Sequence, residues 1–144
     1  MSRIGATLMN AMPRLILSSP AHPVLSGRYL IIEFTGRTTG RSYSTPVAYR
    51  RHGDRLLIST DSPWWRNVAA GEPVIVRLRG TRRAGTSSRI TGAPAVDALR
   101  ELATIPGYPR ATGMTREHGR VPEAEIMHAA ERRVVLAVDL NGAR

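Results

Sequence analysis

Residues 28–60 read RYLIIEFTGRTTGRSYSTPVAYRRHGDRLLIST, and the fold turns on this stretch. Leu30, Ile32 and Phe34 alternate on one face, the pattern of a half-buried strand over Arg28 to Phe34. Gly36-Arg37-Thr38-Thr39-Gly40-Arg41 is a turn with two glycines, and Tyr43 to Arg50 is again strand-like. Arg51-His52-Gly53-Asp54 makes a second turn, after which Leu56 to Thr60 forms a third strand. Parallel strands need a crossover of about a dozen residues or more, so two successive short connections predict an antiparallel meander.

Working outward, Asp61-Ser62-Pro63 offers helix-start chemistry and predicts a short helix over Trp64 to Ala70, ended by Gly71. Val74 to Arg79 resumes the sheet with Val74, Val76 and Leu78 on one side, and Gly80 turns it into a half-exposed partner near Arg82 to Thr91. A helix over Pro94 to Thr104 turns Val96, Leu99, Leu102 and Ala103 inward, and Pro106-Gly107-Tyr108-Pro109 stops it. A second helix covers Glu123 to Ala130, and Arg133 to Leu140 is a closing apolar strand. Upstream, Ile4, Leu8, Met12, Leu15 and Ile16 predict an amphipathic helix at about residues 2–18, broken by Ser19 to Pro23. Packing on its own barrel is the simpler fate for that helix; a peripheral membrane contact is the alternative. The whole, residues 1–144, is expected to be one small barrel-like α+β domain. The strand–helix alternation of a dinucleotide-binding fold is absent, so the glycines of the 36–41 turn are not that fingerprint.

Composition narrows the chemistry. The 144 residues carry a formal charge of +10, no cysteine and no lysine, every one of the 21 basic residues being arginine. A Walker-type phosphate loop and Schiff-base catalysis both need a lysine amine, and thiol nucleophiles, disulfides and sulfur-ligated metals need cysteine. A cytoplasmic location is compatible with that usage. The apolar runs fall short of the roughly 18–20 residues of a membrane-spanning helix. His22, His52, His118 and His128 are scattered, and the single Glu125-Ile126-Met127-His128 spacing lacks the second copy a carboxylate-bridged metal pair requires, so no metal site is expected. With no Gly-x-Ser-x-Gly elbow, enzymatic activity would rely on a bound cofactor. Arginines 50, 51, 55, 77, 79, 82 and 83 raise nucleic-acid binding as a rival, but they are spread over strands and turns with few aromatics to stack bases, and no nucleic-acid partner is expected.

Two segments carry the specific signal. The 36–41 turn can present backbone N–H groups and the guanidinium forks of Arg37 and Arg41 to a phosphate. In Pro63-Trp64-Trp65-Arg66-Asn67-Val68, one of the adjacent tryptophans can face the core, while the other, with Asn67, offers an aromatic wall and an amide to a planar heterocycle.

In order and spacing, Thr35-Gly36-Arg37-Thr38-Thr39-Gly40-Arg41-Ser42-Tyr43-Ser44-Thr45-Pro46 followed by Trp64-Trp65-Arg66-Asn67-Val68 resembles the deazaflavin (F420)-dependent nitroreductase family. The likeness spans about residues 28–91 and is loose beyond them. It implies an antiparallel split β-barrel of the FMN-binding type with flanking helices, and an F420H2-dependent oxidoreductase passing a hydride to a quinone, enone or nitro acceptor. By the same resemblance, Arg37 and Arg41 hold the coenzyme's phosphate and glutamyl tail. Thr45 and Pro46 line the tail or ring, and Ser59, Thr60, Trp64 and Asn67 flank the deazaflavin. Tyr108 is the candidate proton donor or substrate contact. Tyr43 and Thr38 stand where that family carries basic residues, which keeps FMN open as the alternative cofactor. A non-catalytic flavin carrier is the alternative function, and a homodimer is compatible with the class.

Overall fold

A computed structural model describes residues 28–141, so the amphipathic helix expected at 2–18 lies outside the described residues. The elements are β1 Tyr29–Thr35, β2 Ser42–His52, β3 Arg55–Thr60, a 3-10 helix Pro63–Val68, β4 Ala70–Leu78, β5 Thr81–Ile90, α1 Ala93–Leu102, α2 Tyr108–Ala111, α3 Glu123–Arg132 and β6 Val134–Leu140. Six strands close a barrel in the order β1-β2-β3-β6-β5-β4, with every neighbouring pair antiparallel. This is the antiparallel split barrel, with helices on its outside. The split has a location: the β1–β4 ladder runs only from Ile31↔Arg77 to Glu33↔Ile75. Beyond Glu33 the two strands part, and Pro73, which has no N–H to donate, stands at the opening.

Strand alternation sorts the core into two bodies. Leu30, Ile32, Phe34, Val47, Leu56, Ile58, Val76, Leu136 and Val138 fill the barrel. Ala48, Leu57, Val135 and Ala137 face outward beneath Leu99 and Leu102 of α1 and Ile126 and Ala129 of α3. β6 is therefore apolar on both faces, which explains its unbroken Val134 to Val138 run. Each fully buried leucine or isoleucine contributes about 1.5–3 kcal/mol relative to exposure.

Three boundaries differ from the expectations. The helix after Pro63 is a 3-10 turn ending at Val68, not a helix reaching Ala70. Gly71 belongs to β4, where the register shifts between Ala70 and Glu72 and the glycine takes φ +73. A left-handed glycine serves a bulge as readily as a helix stop. Arg79 leaves the strand for the β4–β5 turn, and Tyr108 opens α2 instead of ending α1. On α1 the inward set includes Ala95 and Ala98, with Val96 at the flank. Among the described residues no helix is long and apolar enough to cross a membrane.

Candidate functional site

Strand direction brings the sequence motifs to one end of the barrel. β1 ends there, β2 starts there, β3 ends there, and β4 and β6 start there, so the 36–41 loop, the 3-10 helix, Ser59, Thr60 and Arg133 share that rim. A side chain links the two motifs. Asn67 Oδ1 accepts a hydrogen bond from the Arg37 backbone N–H at 2.8 Å, and Asn67 Nδ2 donates to the Trp64 carbonyl at 3.0 Å. The Asn67 amide is thus committed within the protein and holds the loop against the helix.

The loop is tightly accounted for. Gly36 N–H donates to the Arg41 carbonyl at 2.8 Å, Gly40 N–H to the Gly36 carbonyl at 2.9 Å, and Arg41 N–H to Thr39 Oγ1 at 3.2 Å. With the Arg37 N–H taken by Asn67, four of the six loop amides are engaged, which corrects the reading of the turn as a row of N–H groups free for a phosphate. The exposed guanidinium groups of Arg37 and Arg41 remain, and neither has a carboxylate partner among the described residues. Other arginines are neutralised: Arg82 and Arg77 meet Glu33 at 2.9 and 3.7 Å, Arg55 meets Asp139 at 2.9 Å, and Arg100 meets Asp97 and Glu123 at 2.7 and 2.6 Å.

Tyr43 is part of the loop's support. Its ring faces the barrel interior, stacked on Phe34 with centroids 5.7 Å apart, and its hydroxyl lies 3.1 Å from Thr39 Oγ1. Gly36 allows this: a Cβ there would sit 2.7 Å from both Thr39 Oγ1 and the Tyr43 ring. Phe34 also stacks on Trp64 at 5.4 Å. Trp64 is accordingly the buried tryptophan, so its role as a flank to the deazaflavin meets a side chain that sits in the core. The outer tryptophan is Trp65, with the guanidiniums of Arg89 and Arg66 at 4.8 and 5.5 Å from its ring.

The remaining expected residues are distributed differently. Thr45 is buried and Pro46 half-buried on β2. Thr60 Oγ1 accepts from the Ser62 N–H at 3.0 Å. Ser59 faces the helix layer, where its hydroxyl meets the Tyr108 hydroxyl at 2.5 Å and accepts from Arg133 Nε at 2.9 Å. Arg133 also donates to the Ser59 carbonyl at 3.3 Å, approaches Asp61 at 3.7 Å and lies over the Tyr108 ring. Tyr108, expected as a proton donor, therefore spends its hydroxyl on Ser59 inside the helix-side core. Its place in that core suits a tether for α2. Arg133, with its side chain 9% exposed, is the residue that sequence reasoning missed here. The Glu125 and His128 pair is separated in role: Glu125 accepts from the Thr115 N–H at 3.0 Å, and His128 lies 3.8 Å from Glu131.

A cleft of about 690 Å³ opens where β1 and β4 part. Arg41, Tyr43 and Ser44 line it from β2 and the loop, Pro73, Val74 and Ile75 from β4, and Arg82 and Ala84 from β5. That volume is ample for a small planar ligand. Arg41 therefore belongs both to the loop and to the cleft.

Fold and rim together define a split-barrel protein with a basic loop beside an open cleft. The model of the F420H2-dependent quinone reductase family matches residues 21–122, and the chain belongs to that family, an oxidoreductase family whose cofactor is coenzyme F420. Solved structures agree on the fold. An F420-H2 dependent reductase is 18% identical over 78% of this chain and 94% of its own, with a TM-score of 0.54. An F420 reductase is 13% identical over 85% and 93%, with a TM-score of 0.51. A member of the pyridoxinephosphate oxidase family from Clostridium acetobutylicum is 12% identical over 88% and 82%, with a TM-score of 0.56. Among functionally curated proteins, none matches. The residues fit an anionic aromatic coenzyme: two guanidiniums without carboxylate partners among the described residues project from a loop four of whose six amides are engaged within the protein, next to a cleft that combines the Phe34 and Tyr43 rings with polar side chains.

Proposed function

We propose that this F420H2-dependent oxidoreductase reduces a quinone-type acceptor, with Arg37 and Arg41 gripping the coenzyme's anionic tail at the barrel rim. The reading that enones or nitro compounds serve as well belongs to the same proposal. The single observation that carries it is the Asn67 tie, which holds the Arg37 backbone at 2.8 Å and so presents two guanidinium forks from a fixed loop. Fixing the loop before binding lowers the ordering cost that a flexible clamp would incur. Guanidinium groups bind phosphate and carboxylate oxygens bidentately, and a net charge of +10 adds a long-range attraction for such a ligand. When bound, the reduced coenzyme gives up a hydride and a proton, and the quinone gains both to become a hydroquinone. The chain's own part is to hold the tail, to fix the loop through four of its six amides, and to keep an open cleft beside Arg41.

Ser59, Thr60, Thr45, Pro46 and Trp64 enter this proposal as the supporting frame of the rim, and Asn67 as the residue that orients Arg37. We further propose that residues 1–144 act as a single split-barrel unit that pairs as a homodimer, which light scattering would show as twice the chain mass. Titration of the protein with oxidised F420, followed by the coenzyme's fluorescence, tests the main reading. Saturable binding that weakens at least tenfold in Arg37→Ala and in Arg41→Ala is expected. Equal affinity in wild type and both variants would overturn the clamp.

A further inference from the structure

The rim carries a second pair of unspent cations, separate from the 36–41 loop. Arg66 Cζ lies 5.5 Å and Arg89 Cζ 4.8 Å from the centroid of the same Trp65 ring. Among the described residues, neither guanidinium has a carboxylate partner or a hydrogen-bond acceptor.

The fold fixes where these groups stand. A 3-10 helix has three residues per turn, so Trp64 and Asn67 share one stripe, Trp65 and Val68 a second, and Arg66 falls on the third, which is exposed. Arg89 is the cross-strand partner of Leu136, a barrel-filling residue, so it sits on the inward face of β5 where that strand reaches the rim. Its backbone N–H donates to the Ala69 carbonyl at 3.0 Å, which ties this end of β5 to the end of the 3-10 helix. An apolar side chain at position 89 would cover Trp65 equally well, so packing alone does not account for a cation there.

A guanidinium seated on an aromatic ring has already given up side-chain freedom, yet its N–H edge is still open to a bidentate contact with carboxylate or phosphate oxygens. Because both share one ring, the two forks are close neighbours on separate stems, an arrangement that suits a chain bearing several carboxylates. Trp65 packs against the barrel core and carries two cations, so its ring is a seat for guanidiniums and not a stacking face for a nucleobase. Arg66 directly precedes Asn67, whose side chain holds the Arg37 backbone N–H, so a ligand gripped by the loop has its trailing end beside this pair.

We propose that Arg66 and Arg89, seated on Trp65, form a second anion station that binds the glutamyl carboxylates of the coenzyme, while the 36–41 loop holds its phosphate. The inference rests on the coenzyme reading above.

The test uses the full chain and two forms of oxidised F420, one with the phosphate but no glutamate and one with five glutamates, each titrated by the coenzyme's fluorescence. Wild type is expected to hold the five-glutamate form about three- to tenfold more tightly, the combined worth of two exposed ion pairs. Arg66→Gln with Arg89→Gln should erase that preference and leave affinity for the glutamate-free form that of wild type. Arg51→Gln with Arg79→Gln removes the same charge from the turns at the opposite end of the barrel and should keep the preference, which separates a local station from the long-range field of a +10 protein. Equal affinity for the two forms in wild type, a preference that survives in the rim variant, or one lost to the same extent in the opposite-end variant overturns the proposal. If neither form binds, penta-γ-glutamate alone decides, measured by calorimetry: binding that the rim variant loses and the opposite-end variant keeps leaves the station standing and overturns the coenzyme clamp, and no binding overturns both.

Discussion

Asn67 and Arg37 are 30 residues apart in sequence and joined by one hydrogen bond, the Asn67 side-chain oxygen accepting from the Arg37 backbone N–H at 2.8 Å. That bond converts two separate sequence motifs into one rim. The asparagine is satisfied at both ends, since its amide nitrogen donates to the Trp64 carbonyl. Its contribution is therefore the position of Arg37, with no polar atom left over for a ligand.

Asn67→Ala removes both bonds. The expected cost is about 1–3 kcal/mol of stability, together with a weaker grip on F420 because the loop loses its anchor. Asn67→Asp keeps the acceptor for Arg37 but loses the donor and adds a carboxylate beside the clamp. Thermal melts should rank Asp above Ala, whereas F420 titration should show Asp at least as impaired as Ala.

Gly36 supports the same loop from beneath. Its φ is unremarkable, so the cost of Gly36→Ala is steric: the new Cβ meets Thr39 Oγ1 and the Tyr43 ring at 2.7 Å. Overpacking of this kind costs about 1–3 kcal/mol. Gly53→Ala is the control, with open space around its Cβ but φ +59, and carries only the left-handed backbone penalty of about 1–2 kcal/mol. Denaturant midpoints should fall in both variants, and F420 affinity only in Gly36→Ala, since Gly53 lies in the turn at the opposite end of the barrel.

How far the sequence announces this structure depends on whether the deciding force is local. The meander was readable because Leu30, Ile32 and Phe34 alternate and two short turns follow, which are properties of neighbouring residues. The two tryptophans were readable as one inside and one outside, but the choice of Trp64 comes from its stacking on Phe34 and Phe34 on Tyr43, a contact between distant segments. Gly71 misled because the same backbone conformation ends helices and makes bulges, and only the pairing with β5 separates the two. Arg133 carries no local mark: it is the second of two adjacent arginines and acquires its role from Ser59 on the neighbouring strand.

The ion pair that joins α1 to α3 sets an acid limit on the helix layer. Arg100 donates to Glu123 at 2.6 Å, and this hydrogen bond holds the Glu123 carboxyl below its usual pKa. A lowered folded-state pKa means stability that is present above the ordinary carboxylate pKa and lost as pH falls through the folded-state value. The groups are exposed, so the contribution is small and salt-sensitive. Glu123→Gln should melt slightly below wild type near neutral pH in dilute buffer. The gap should close both on acidification through the carboxylate range and in concentrated salt; a gap that persists in acid would mean that the glutamate acts through packing instead.

Ser59 lies between two hydrogen-bond partners, Tyr108 and Arg133, and the order of losses around it separates a tether from a proton donor. Tyr108→Phe removes one hydroxyl but leaves Ser59 bonded to Arg133, so about 1 kcal/mol of stability is expected to go. Ser59→Ala removes the partner of both Tyr108 and Arg133 Nε at once, in a layer where Tyr108 is buried and the Arg133 side chain is 9% exposed, and should cost more, about 2–3 kcal/mol. Because the Tyr108 hydroxyl is spent inside the helix-side core, kcat in Tyr108→Phe should stay within about twofold of wild type once the measurement is made well below the melting temperature, a factor worth about 0.4 kcal/mol in the barrier. A fall in kcat of a hundredfold with the melting temperature unchanged would place that hydroxyl at the reacting atoms and return Tyr108 to the role of proton donor, since general acid–base groups contribute about 10²–10⁴-fold.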